Sequence, residues 1–135
     1  MHEYLRNYVI AFLVLVPVDF LWFGVLMKGV YLRKLASLAR MREGKFTPLP
    51  LPGLLAWAAI PAGIVFFAVP HLASDSSVLN AIGWGGLLGL VMYGLYDMTN
   101  LSTLRDFSAR LALIDVAWGT CLTAFVTLIV WLIAK

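Results

Sequence analysis

The sequence predicts an all-α polytopic membrane protein: four transmembrane helices in a bundle, with a short basic interfacial helix after the first. Three observations predict it. Of 135 residues, 62% are hydrophobic and only 13% charged, whereas a soluble domain is roughly half apolar and a quarter charged. The apolar residues fall in four long runs, at about residues 8–27, 54–70, 78–98 and 111–134, near the roughly 20 residues that cross a bilayer core. The ten Lys and Arg are unevenly placed, six of them between Lys28 and Lys45. Residues 1–135 read as a single transmembrane domain with a mean hydropathy of +0.92.

The first run contains Pro17 and Asp19. Proline removes the bond to the carbonyl of Leu13, so a kink or a local polar spot is expected there. Asp19, Trp22 and Leu26 follow at helical spacing, with Tyr8, Phe12 and Leu15 extending that face backward. The run is too long for a cleaved signal peptide and has no small-x-small site after it, so it is expected to stay as a helix.

Residues 28–47 form a basic connector. Leu32, Leu35 and Leu38 lie on one side of a helical pattern and Arg33, Lys34 and Arg40 around the other, which predicts a helix at the headgroup level. A basic run beside a membrane segment reports orientation rather than nucleic-acid binding. The second helical run holds Trp57, Pro61 and Gly63 but no ionisable group, and reads as scaffold. His71 follows it, with no second His or Cys at metal-ligand spacing; no metal and no cofactor is expected.

The third run is rich in glycine. Gly85 and Gly89 form a small-xxx-small pair that admits a second helix closely. Gly86, Leu90, Tyr93 and Asp97 share a face leading to an acid. Ser108 is placed to cap the fourth run, which carries Asp115 and Trp118 on one face and Thr120, Thr123 and Thr127 on the next. The lone Cys121 forms no internal disulfide.

Acids in hydrocarbon are costly, about 2.5–3.5 kcal/mol each at the bilayer centre, so their positions carry the most information. Asp19 lies about 12 Å and Asp115 about 7 Å inside the ends of their helices, at 1.5 Å per residue, and Asp97 sits near the boundary of its own. The three fall in the same half of the bundle. With Trp22, Tyr93, Asn100 and Trp118 they predict a polar cup of ligand-binding or proton-linked residues. Arg105 and Arg110, on the link between Asp97 and Asp115, are the expected partners of the acids. Asp19-Phe-Leu-Trp22-Phe-Gly24 is echoed by Asp115-Val-Ala-Trp118-Gly119. The i,i+3 spacing places indole and carboxylate on the same helix face, where the indole N–H could donate to the acid directly or through water. Both histidines, His2 and His71, fall on the opposite side, so no Ser-His-acid set can be placed.

These motifs resemble those of a bacterial family of predicted membrane proteins catalogued as domain of unknown function 2177. The resemblance rests on Asp19-Phe-Leu-Trp22-Phe-Gly24, on Tyr96-Asp97-Met-Thr99-Asn100-Leu-Ser-Thr103-Leu and on Asp115-Val-Ala-Trp118-Gly119-Thr120, and covers nearly the whole chain. It implies a small four-helix inner-membrane protein and no particular reaction. The reading preferred from the residues is binding or transport of a small molecule or lipid at the acidic, Trp-lined cup. The alternatives are a membrane enzyme or accessory factor in lipid or isoprenoid modification, and a structural subunit of a membrane complex. Membrane lipids are the expected partners, with a homo-oligomer or a larger membrane complex as further options.

Four crossings put both termini on one side. The first and third connectors carry eight Lys and Arg; the other side carries Arg6 and Lys135. The positive-inside rule then places the connectors in the cytoplasm and both termini outside. A phosphatase fused to the C-terminus is expected to be active and a fluorescent-protein fusion dark; the opposite pair of results would reverse the orientation.

Overall fold

A computed structural model describes residues 1–135. Helix α1 runs His2–Leu21 and continues as a π turn, Trp22–Leu26. A short helix α2, Lys28–Lys34, and a two-residue hairpin, β1 Met41–Arg42 with β2 Lys45–Phe46, form the connector. Helix α3 runs Pro50–Gly63 and continues through a π turn, Ile64–Ala68, and a 3₁₀ turn, Val69–His71. Helices α4, Val78–Thr103, and α5, Ala109–Ala134, complete the chain. Four helices, counting their continuations, are long and apolar enough to cross a membrane.

Local chemistry sets most of the boundaries. Pro50 occupies the first turn of α3 after an extended Leu49, where a missing N–H costs nothing. Ser77 caps α4 in a reciprocal box with Asn80, and Ser108 accepts from the Leu111 amide to cap α5. The helices are longer than their apolar runs. α1 begins at His2 rather than near residue 8, and α4 ends at Thr103 rather than 98, because helical bonding continues through polar residues past the apolar stretch. Both prolines inside helices, Pro17 and Pro61, precede a π turn within the next turn or two, in keeping with backbone ladders loosened there.

The connector departs from the expectation. Its helix stops at Lys34 instead of reaching Arg40, and a hairpin follows. Glu43 and Gly44 both have positive φ, 51° and 74°, the geometry of a two-residue turn that matches strand twist. Met41 pairs with Phe46 and Arg42 with Lys45.

Helix α5 is the centre of the packing. It lies along α4 and also touches α1 and the Ile64–Ala68 turn. Its core partners are Ala11 and Leu15 of α1 and Ile64 and Val65 after α3, around Leu122, Val126 and Val130. Buried residues recur every four positions on α1 (Asn7, Ala11, Leu15, Asp19) and α4 (Ala81, Gly85, Gly89, with Asp97 two turns on). On α4 the Gly85–Gly89 face packs on α5 as expected and leaves Leu90 exposed, while on the face of Tyr8, Leu15 and Asp19 the residue Leu15 is buried and Leu26 exposed. Helix α3 packs on α1 and meets α4 through Ile64–His71. Tyr4 stacks on Phe66, and the Trp131 indole donates to the Ala73 carbonyl, so the termini gather with the 72–77 loop. The connector and the 104–108 link lie at the other end.

A side chain at Gly85 would meet the Thr123 carbonyl and the Thr127 hydroxyl at 2.6 Å, and one at Gly89 would run into the α5 backbone at Gly119 and Thr120. Gly83 and Gly94 face open space. Gly85→Leu and Gly89→Leu are expected to destabilise the bundle by at least about 1–3 kcal/mol each, read as a lower melting temperature in detergent. Gly83→Ala and Gly94→Ala are expected to leave it unchanged or slightly raised.

Candidate functional site

Three carboxyl groups are buried in the apolar bundle: Asp19 is 3% exposed, Asp97 1% and Asp115 8%. Each sits on the packed face of its helix, so burial follows from register. The Trp57 indole donates to Asp19 Oδ2 at 2.8 Å and the Trp118 indole to Oδ1 at 3.0 Å. The Tyr31 hydroxyl donates to Asp115 Oδ1 at 2.5 Å, and the Trp22 indole approaches that hydroxyl at 3.5 Å. Trp22 and Trp118 stack face to face, centroids 4.1 Å apart and planes 2° from parallel.

The two Asp-x-x-Trp motifs are thus coupled differently from the expectation. Neither indole serves the acid of its own helix. Trp118 on α5 serves Asp19 on α1, while Trp22 on α1 reaches Asp115 on α5 through Tyr31. Stacking the indoles brings the motifs together and crosses their donors.

Tyr93 lies half-buried within electrostatic reach of all three acids. Its ring occupies the space a side chain at Gly119 would need, so that glycine is what lets α4 deliver the phenol. Asp97 lies beside Asp115, and its Oδ2 is buried without a hydrogen-bond partner.

The remaining expected members sit elsewhere. Asn100 is half-buried and its side chain takes no part in the bonds to the acids. Arg105 is exposed, and Arg110 turns to a different pocket with Arg33 and Lys34. The donors to the acids are indole and phenol groups, not guanidinium, because rings fit among apolar helices without bringing a second charge to be desolvated. Sequence reasoning missed Tyr31 and Trp57. Trp57 belongs to a helix read as scaffold, and Tyr31 to a connector read for its charges and its amphipathic pattern. Nothing in their local sequence marks either as a partner of an acid.

A crevice of about 650 Å³ opens beside the acids. Phe23, Phe46, Leu49, Leu54, Ile60 and Met92 form apolar walls, and Asp19, Trp57, Tyr93 and Asp115 supply its polar groups. It exists because α3, held to α1 by the Trp57–Asp19 bond, meets α4 at the Ile64–His71 end. Asp97 stands behind Asp115 and is not part of the wall. No group of three or more His, Cys, Asp or Glu side chains is placed to hold a metal ion. The arrangement suits a ligand with an apolar body and a hydrogen-bond donor at one end.

Tyr31 lies on α2, outside the spanning helices. Burial first, and then its bond to Asp115, push its phenol above the ordinary tyrosine value. The folded state therefore holds that proton more tightly than the unfolded chain does. Its contribution is complete below about pH 10 and declines as pH rises past the unfolded value. Thermal stability is expected to fall above about pH 10 in the parent protein. Tyr31→Phe should remove the part of that slope due to Tyr31, while losing about 1–2 kcal/mol at neutral pH through the missing donor to Asp115.

No curated protein and no solved structure matches this chain. Its residues 4–132 match the family described as predicted membrane protein, DUF2177, and the chain belongs to that family.

Proposed function

We propose that this membrane protein binds an amphiphile in the crevice between α3 and α4, as a binding or transport protein for a lipid or a small apolar molecule. The observation that carries the reading is an apolar crevice of about 650 Å³ that ends on Asp19 and Asp115. Few convergent polar groups in a mostly apolar concavity are the usual form of a ligand site. Asp19 already accepts from two indoles and Asp115 from one phenol. A carboxylate has about four acceptor positions, so a hydroxyl or ammonium end can be received without breaking these bonds. Apolar walls on Leu54 and Met92 accommodate the chain, and the exposed apolar faces of the four helices lie against lipid.

In this reading the protein crosses the bacterial inner membrane four times with both termini outside. The crevice then lies toward the cytoplasmic half, which supports loading from the inner leaflet. The eight-to-two distribution of basic residues between the two ends supports that orientation.

Long-chain amine, alcohol and carboxylic acid of equal length, titrated into the full chain in phosphatidylcholine nanodiscs, test the site. Tryptophan fluorescence reports binding, since Trp57 lines the crevice and donates to Asp19. The amine and alcohol are expected to bind saturably and the carboxylic acid to be excluded by the two acids. Asp115→Asn is expected to weaken the amine by about tenfold. A side chain at Gly53 meets nothing within 4 Å, so Gly53→Phe should block the crevice without disturbing the fold. Equal binding of all three probes, or unchanged binding to Gly53→Phe, would refute the assignment.

A further inference from the structure

A second cavity, of about 250 Å³, lies between the connector and the start of α5. Arg33 and Lys34 come to it from the last turn of α2, and Arg110 from the first turn of α5. Met27, Val30, Leu111 and Ile114 make the rest of the wall, and no acidic residue contributes. The nearest acid in sequence, Asp106, is exposed on the link and does not line the cavity. Among all Lys and Arg side chains, only that of Arg6 hydrogen-bonds to another residue, Asn7. Three cations from two elements therefore converge on a concave, partly apolar surface, unneutralised by the protein.

We propose that Arg33, Lys34 and Arg110 form a binding pocket for a phosphate group. Guanidinium forks match phosphate oxygens in geometry and charge, and a lysine adds a mobile point charge. The positive end of the α5 dipole points the same way. Four apolar residues beside the cations fit the glycerol and first methylenes of a phospholipid, while a free phosphate would use the cations alone. The pocket is separate from the crevice: they share no lining residue. It joins α2 to α5 at the same seam as the Tyr31–Asp115 bond, so an anion there holds the connector against the bundle.

The test uses the full chain in neutral detergent, with melting temperature followed against short-chain phosphatidic acid, short-chain phosphatidylcholine and inorganic phosphate. Phosphatidic acid is expected to raise the melting temperature saturably and more than phosphatidylcholine. Arg33→Gln with Arg110→Gln should weaken that effect about tenfold or more. Because neither arginine bonds to the protein, the melting temperature without anion should be unchanged, and Lys34→Gln alone gives a milder version of the same loss. Stabilisation by phosphatidic acid but not by inorganic phosphate assigns a lipid headgroup; an equal effect of inorganic phosphate assigns a soluble phosphate. Arg40→Gln with Arg42→Gln removes two connector charges outside the pocket. An equal loss in that variant, or none in the pocket variants, would overturn the proposal in favour of diffuse surface charge. Gly53→Phe should retain the anion effect, so failure of the crevice reading and failure of this one are told apart.

Discussion

One constraint orders much of this bundle: three carboxyl groups are buried among apolar helices, and two of them, Asp19 and Asp115, are supplied with donors from inside the protein. A buried acid left without a partner costs several kcal/mol. The donors come from other elements. Asp19 on α1 is held by Trp57 of α3 and Trp118 of α5, and Asp115 on α5 by Tyr31 of α2. A few directional bonds thereby fix the relative rotation of three spanning helices and the connector. Such bonds orient a membrane bundle where apolar packing alone is indifferent, because lipid tails solvate leucine as well as a neighbouring helix does.

The second organising contact is a close approach of backbones. Gly85 and Gly89 let α4 lie so close to α5 that their backbones meet Thr123 and the Gly119–Thr120 turn. That seam leaves α4 no freedom to close on the first half of α3. The crevice is thus a by-product of two strong attachments, α4 to α5 and α3 to α1, made on different sides. Its polar end and its apolar walls follow from the same cause, since the acids lie where the helices separate.

The four apolar helices were legible because hydrocarbon length and composition are read over twenty residues at a time. So were the cap at Ser108 and the Gly85–Gly89 seam, each a short-range rule. The hairpin was not, because six positive charges in the connector favoured an amphipathic reading; Glu43-Gly44 was the signal for the turn. The acids could be located and Trp118 placed beside them, but not which acid it serves, nor the part of Trp57 and Tyr31. Proximity along the chain pointed to Arg105, whereas the donors lie 38, 84 and 99 positions away. An aromatic residue in an apolar run carries no mark of which way its N–H or O–H will point. That is decided by packing between elements, which no local pattern encodes.

The crossing of donors between the two Asp-x-x-Trp motifs has a consequence for biogenesis. Helix α1 is made first, yet the Trp118 bond to Asp19 spans 99 positions. At synthesis rates of about 5–20 residues per second, that interval lasts about 5–20 s. Trp57, 38 positions after Asp19, arrives sooner and satisfies only one of its oxygens. Through that interval Asp19 has one of its two indole donors, and α5 brings the other.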